Sequence, residues 1–458
     1  MDAERTFDEK IEEIVGLASE KKYIKARDAL LLNNEVDIAE ILEEVIEELD
    51  VERTVILFRM LPKDVSVEVF SYLPAEDQKR IINTITDKEI SYIIEELDFD
   101  DKIDVLEELP ANVVDQILEK TPKNERKLIN TFLNYPDNCA GSLMTPDYII
   151  LHENWNVKEA LEHIKEVGMD SETIYTCYVK DPGRTLKGIV SLRTLVISAD
   201  DVKVSDIMHE DFVKVNVYDD QEEVSEAFTR YGFLAIPVVD NEHRLVGIIT
   251  VDDILPVIEE ETTEDMERMA GVIDSSDAEY LDMSVWKHIK NRIPWLFILM
   301  CSYFITGSII ANFEDQLSAV ICLVSYMPML MGTGGNSGSQ SATLIIRSLS
   351  VGDVDLKDAG KVFWKEIRIS FFIGLILSVL NFARIIFIDG NGSGVAFTVC
   401  LAMLAIVVAA KTIGSMLPMV AKKVGIDPAL MASPMIASLT DMVSVISYFL
   451  IATAILGI

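Results

Sequence analysis

The spacing of apolar and polar residues changes character three times along the 458 residues. Residues 1–135 carry apolar positions at helical intervals among many Glu, and the pattern repeats. Ile46-Glu47-Glu48-Leu49-Asp50 recurs 48 residues later as Ile94-Glu95-Glu96-Leu97-Asp98, and Leu61-Pro62-Lys63-Asp64-Val65 recurs as Leu109-Pro110-Ala111-Asn112-Val113. Stacked helix pairs, an all-α superhelix with one buried face, are predicted. Residues 140–256 alternate short strand-like runs with helical ones. Beyond Arg292 five long apolar runs follow, at about 293–313, 316–346, 364–388, 391–421 and 428–456. Each meets the ~20-residue requirement of a helical membrane span.

Charge sharpens this division. The net charge is −36. Residues 286–458 hold nine acids and twelve bases, a balance of +3, which leaves 67 acids and 28 bases, or −39, in residues 1–285. A strongly acidic surface excludes nucleic acid and anionic lipid as natural partners of that part and suits cations. The charged start MDAERTFDEKIEE is no cleavable signal peptide. Basic residues cluster before the first run (Lys287, Lys290, Arg292), between the second and third (Arg347, Lys357, Lys361, Lys365, Arg368) and between the fourth and fifth (Lys422, Lys423). The positive-inside rule then puts the N-terminal domains in the cytosol and, with five spans, the C-terminus outside.

Within the fifth run Asp441 is the single charge, and a carboxylate near a bilayer centre costs at least about 2.5 kcal/mol. Such a residue marks an ion or proton path. The second run contains Met327-Pro328 and the stretch Gly332-Thr333-Gly334-Gly335-Asn336-Ser337-Gly338-Ser339-Gln340. Its glycines allow close backbone approach, as in a small-residue packing seam. Asn336 and Gln340, four apart, share a helical face and are candidates for a polar pore lining. Pro434, seven residues before Asp441, suggests a kink there. Five cysteines (139, 177, 301, 322, 400) and five scattered histidines show no ligand spacing, and no nucleophile elbow or phosphate loop is present. Enzymatic readings therefore start low.

The middle region repeats internally. Leu143-Met144-Thr145-Pro146 and Ile207-Met208-His209 open two units, and Leu186-Lys187-Gly188-Ile189-Val190-Ser191 matches Leu245-Val246-Gly247-Ile248-Ile249-Thr250 near their ends. Helical stretches (157–167, 222–231) and strands (173–179, 235–239) lie between. This resembles a tandem CBS pair, an α/β regulatory module. Thr250 and Asp253 are similar to that family's ribose-binding signature, which implies an ATP site, although Asp253 equally suits a helix cap. From 257 to 285 acids crowd two helical turns, with Thr262 a candidate cap and Asp265 three residues on.

The order of parts is specific: helical domain 1–137, CBS pair 138–258 (units 138–202 and 203–258), connecting helix 259–285, and a membrane domain 286–458. With the second-run motif, Gly414-Ser415-Met416-Leu417-Pro418 and Ala437-Ser438-Leu439-Thr440-Asp441, it resembles the MgtE-type magnesium channels. The resemblance implies a multidomain homodimer with five transmembrane helices per subunit, and Asp441 of each subunit in a central pore for hydrated Mg²⁺. It implies regulatory Mg²⁺ held by Glu68, Asp100 and Asp104, by Asp220, Glu222 and Asp253, and by Glu261, Glu264 and Asp265 with Asp427. The connecting helix would then be a plug over the pore. Gly232, Pro256 and Ser433 stand where relatives can carry Asp, Glu or Asn. The implied function is Mg²⁺ uptake driven by membrane potential and shut by cytosolic Mg²⁺, in the cell membrane and without enzymatic activity. The alternative is a proton-coupled divalent-cation carrier with Asp441 as the titrating group. An aspartyl protease lacks its second acid, and a nucleotide-sensing scaffold leaves Asp441 without a role.

Overall fold

The computed structural model describes residues 6–181, 183–272, 280, 283–313, 320–431 and 433–457, with Asp87, Glu108, Asn112 and Ser433 described by backbone alone. The start of the second expected span (316–319), the connection before it and part of the 259–285 segment lie outside these residues. The chain forms two compact units, Met1–Val257 and Ile258–Ile458.

The first unit begins with ten short helices, from α1 (Phe7–Ser19) to α10 (Lys123–Phe132). Polar caps start several of them. Asn34 Oδ1 accepts from the Asp37 N–H at 2.8 Å and Asp50 Oδ1 from the Arg53 N–H at 2.8 Å. The repeated Leu-Pro pairs do the same work by a different route. Pro62 and Pro110 sit at the N-caps of α5 (Lys63–Ser71) and α9 (Ala111–Lys120), where no N–H is needed. The 48-residue repeat is thus a repeat of helix punctuation. Amphipathic faces meet in a common core that buries Ile38, Ile41, Leu42, Val45, Leu57, Val69, Phe70 and Ile103.

The CBS pair follows. β1 (Tyr148–His152), β2 (Thr173–Lys180) and β3 (Leu186–Ser191) form one sheet, β1 parallel to β2 and β2 antiparallel to β3. β4 (Val215–Asn216), β5 (Ala235–Val239) and β6 (Leu245–Thr250) repeat that topology. Helices α11 (Val157–Val167), α12 (Leu192–Ile197), α13 (Val204–Ile207) and α14 (Gln221–Tyr231) complete the repeat. The two units interlock through their opening motifs. The Thr145 N–H donates to Ile248 O at 2.8 Å, and the Ile189 N–H donates to His209 O at 3.0 Å. Met144 lies on Gly247 and Met208 on Gly188, so closely that a Cβ would come 2.6 Å and 3.0 Å from the two sulfurs. This contact is why both strands carry Gly at the same place. Gly232 ends α14 at φ +65°, a conformation that favours glycine.

α15 (Val251–Ala270) runs without a break through Pro256. Thr262 therefore caps nothing: it lies inside the helix, and its hydroxyl donates back to Ile258 O at 2.7 Å. In the second unit α16 (Val285–Ala311) is followed by a 3-10 turn (Ile321–Tyr326) and α17 (Met327–Ser350). Then come a short 3-10 turn (Leu356–Asp358), α18 (Ala359–Arg384), extended through Ile385–Asp389, α19 (Ser393–Lys423), a further 3-10 turn (Pro428–Met431) and α20 (Ser433–Leu456). Four of these segments, Val285–Ala311, Leu356–Asp389, Ser393–Lys423 and Pro428–Leu456, are long and apolar enough to cross a membrane. α17 is long enough, but its Gly, Ser, Asn and Gln make it too polar to qualify by apolarity. Pro434 does not kink a span. It falls in the first turn of α20, where its missing N–H costs nothing.

Candidate cation path and acidic clusters

α17 is held between α19 and α20 by its glycines. A Cβ on Gly334 would lie 2.7 Å from Ser444 Oγ and 2.9 Å from Ile406 Cγ2. One on Gly338 would meet Ile436 at 2.7 Å and Ala410 O at 3.1 Å. From the other side, one on Gly414 of α19 would lie 2.1 Å from Gly338 O. This half of the motif is a packing seam. The other half is not: Asn336 and Gln340 face out of the bundle and are exposed within the single chain. α20 docks on the seam through Ala437, Thr440 and Ser444, with Thr440 and Ser444 buried. Asp441, the next residue after Thr440, is half-buried and has no hydrogen bond or ion pair among the described residues.

A charged group missed by the sequence reading also lies in this bundle. Lys411 Nζ donates to Ser341 Oγ at 3.2 Å, and Ser341 Oγ donates to Glu366 Oε2 at 2.7 Å. All three side chains are buried. Glu366 falls just inside the third expected span, 364–388, and no role was expected of it. The signal was its place in a continuous helical pattern with Ser370, Gly374 and Ser378 at four-residue intervals.

At the mouth of α20, Asp427 Oδ1 accepts from the Ala429 N–H at 2.7 Å and Oδ2 from Arg268 Nη1 at 2.7 Å. Arg268 also pairs with Glu264. Burial raises the pKa of Glu264 and of Asp265, and the charges of Glu261 and Asp427 raise both further. Glu261, Glu264, Asp265 and Asp427 are thus brought together, with a guanidinium standing between two of them. A buried oxygen of Glu267, Oε2, has no partner among the described residues.

The first unit holds a second cluster. Burial, then the charges of Asp253, Glu172 and Asp101, push Asp100 up to about 8. Burial and neighbouring carboxylates raise Glu172 to about 7 and Asp101 to about 6. Asp253 is raised by burial, although it accepts from Thr250 Oγ1 at 2.5 Å. Asp100 Oδ1 is buried without a partner among the described residues. Glu68 is exposed near Tyr72, whose phenol burial and the charges of Asp101, Glu68 and Asp252 hold above its usual value. Asp104 lies exposed one turn beyond Asp100. Asp220 and Glu222 are exposed at the start of α14, where Asp220 Oδ1 accepts from the Glu222 N–H at 2.9 Å as an N-cap. Glu172 was absent from the expected set, and only the fold carries it to Asp100. Among the described residues no three acids converge closely enough to ligate an ion directly. An orphaned carboxyl oxygen among raised carboxylates still fits a hydrated divalent cation, because Mg²⁺ keeps several waters and needs only one or two carboxylates.

Apolar spans that carry a carboxylate with no partner among the described residues, preceded in the chain by acid-rich domains, define a multi-pass membrane protein built to handle a cation. The comparisons agree. The divalent cation transporter family model MgtE matches residues 327–451, the MgtE intracellular N domain matches 33–138, and CBS domains match 140–199 and 204–260. Magnesium transporter MgtE of Thermus thermophilus is 40% identical over 72% of this chain and 73% of its own. Its counterpart in Bacillus subtilis is 36% identical over 72% of each. A crystal structure of the cytosolic domain of the Mg²⁺ channel MgtE in complex with ATP matches 53% of this chain and 98% of that one, at 33% identity and a TM-score of 0.50. This chain belongs to the MgtE family of divalent cation transporters. Members of that family are transporters rather than enzymes.

Proposed function

We propose that this protein is a Mg²⁺-selective channel that admits magnesium down the membrane potential and is closed by Mg²⁺ on its cytosolic side. The observation that carries the reading is Asp441: a half-buried carboxylate with no partner among the described residues, next to the α17–α20 seam, whose α17 helix also carries the outward-facing amides of Asn336 and Gln340. In a homodimer two such faces would oppose each other, so two Asp441 carboxylates would attract the dication. Asn336 and Gln340 would hold its water shell. An inside-negative potential favours entry of a dication by about 4.6 kcal/mol per 100 mV. α17 would be the fifth membrane helix, too polar to face lipid alone but suited to a lumen. Residues 1–137, 138–258 and 259–285 would be the cytosolic helical domain, CBS pair and plug, with the C-terminus outside.

Closure follows from like charge. Mg²⁺ at Asp100, Asp253 and their neighbours Glu68 and Asp104, at Asp220 and Glu222, and at Glu261, Glu264, Asp265 and Asp427 would bridge carboxylates that otherwise repel. Thr250 and Asp253, already bonded to each other, would turn toward the ribose of ATP at the CBS pair. The test is Mg²⁺ flux into proteoliposomes at fixed voltage with and without a pH gradient. Flux that follows voltage alone and is lost in Asp441→Ala supports the channel. Flux that follows the pH gradient would make Asp441 the titrating group of a proton-coupled carrier instead.

A further inference from the structure

Lys411 and Glu366 bring two opposite charges into the bundle that the proposed transport cycle does not use. Lys411 stands in an apolar stretch of α19, 4% exposed, and Glu366 in α18, 9% exposed. Ser341 of α17, 1% exposed, lies between them as acceptor for one and donor to the other. A buried ammonium in a low-dielectric bundle is costly unless it is compensated, and breaking such a pair is worse than removing both members.

Their depth makes the charge relevant to the cation. Leu349, Val362 and Met419 pack together, as do Ala342, Ile436 and Leu417, so the end of α17, the start of α18, the end of α19 and the start of α20 share one end of the bundle. From that end, at 1.5 Å per residue, Glu366 lies roughly 10 Å deep, Asp441 roughly 12 Å, Ser341 roughly 14 Å and Lys411 roughly 18 Å. Gly338, three residues before Ser341, is where α19 and α20 both press on α17. Lys411 thus lies about 6 Å, roughly one helical turn, from the level of Asp441, close enough for an uncompensated positive charge in a low-dielectric bundle to act on it.

We propose that Glu366 is a charge-compensating, positioning residue for cation transport: through Ser341 it neutralises Lys411, so that the field of Asp441 reaches a dication unopposed. The inference rests on Mg²⁺ transport by this protein, whether as channel or carrier. The experiment compares the full-length parent, Glu366→Gln and the double variant Glu366→Gln/Lys411→Met in proteoliposomes with an internal Mg²⁺ indicator, after size-exclusion chromatography confirms a monodisperse protein. Glu366→Gln should transport at least about tenfold more slowly, and the double variant should recover to within about threefold of the parent, because removing both charges restores neutrality. A merely structural pair would also be rescued by removing both charges, so the flux of folded Glu366→Gln is also read against Mg²⁺ concentration: a raised half-saturating concentration supports compensation, and one equal to the parent's with only a lowered Tm makes the pair structural. Parental flux in Glu366→Gln, or a folded double variant as slow as the single one, overturns the proposal. If Glu366→Gln does not yield folded protein, Lys411→Met decides: removing the positive charge alone should leave the half-saturating Mg²⁺ concentration at or below the parent's, and a folded Lys411→Met with flux lowered tenfold or more refutes the proposal. A parent without Mg²⁺ flux would instead refute the transport reading on which the proposal stands.

Discussion

Mg²⁺ binding to the first unit should expel protons, in an amount that the Asp100 cluster fixes. Burial and mutual charge hold Asp100 at about 8, Glu172 at about 7 and Asp101 at about 6. At pH 7 these groups are about nine-tenths, one-half and one-tenth protonated, so a bound dication that ionises all three releases about 1.5 protons. Asp100→Asn removes the largest share and should leave about 0.6. Because these pKa values are raised by folding, the cluster favours the folded state fully below about pH 4, and that contribution is lost as the pH rises through 6 to 8. Bound Mg²⁺ should restore it, so Tm without Mg²⁺ should fall between pH 6 and 8 and Tm with Mg²⁺ should stay nearly level. Titration calorimetry of the purified protein at pH 7, in two buffers of different ionisation enthalpy, counts the protons. Release below about 0.3 in the parent, or an unchanged count in Asp100→Asn, would refute a coupled acidic cluster as the ion's site.

Two further perturbations address the membrane unit. Gly414→Ala places a Cβ 2.1 Å from Gly338 O and should force α17 and α19 apart, a cost of about 1–3 kcal/mol; a lowered Tm in detergent checks it, and an unchanged Tm contradicts the seam. Arg268→Gln removes the cation that competes for Glu264 and Asp427, so inhibition by Mg²⁺ should set in at about threefold lower concentration, a modest effect because the pair is part-exposed. A flux inhibition curve reads this, and an unshifted curve would mean that Arg268 does not share the ion's site.

The repeat of the first domain was legible because equivalent helix starts keep equivalent residues: Pro62 and Pro110, 48 apart, sit at the N-caps of α5 and α9. The CBS repeat was legible because Gly188 and Gly247 each face a methionine of the other unit, a constraint that leaves matching motifs in the chain. Asp441 stood out because nothing around it in sequence is charged. What was not legible depended on neighbours distant in sequence. Thr262 looked like a cap, but its hydroxyl is satisfied one turn back within a longer helix. Glu172 meets Asp100 only after the CBS strands fold. Glu366 drew no notice because its partners, Ser341 and Lys411, stand on two other helices. Arg268 stands where an ion was expected between Glu264 and Asp427, and nothing local to either acid predicts that.

Current through the purified protein in a planar bilayer, recorded while Mg²⁺ on the side of the acidic domains is stepped from nominally zero to millimolar, tests the central claim most directly. The account predicts voltage-driven Mg²⁺ current that is present at low Mg²⁺ on that side, falls as Mg²⁺ rises, and is absent from Asp441→Ala at every concentration. Current from Asp441→Ala equal to the parent's, or parental current indifferent to Mg²⁺ on that side, would contradict it.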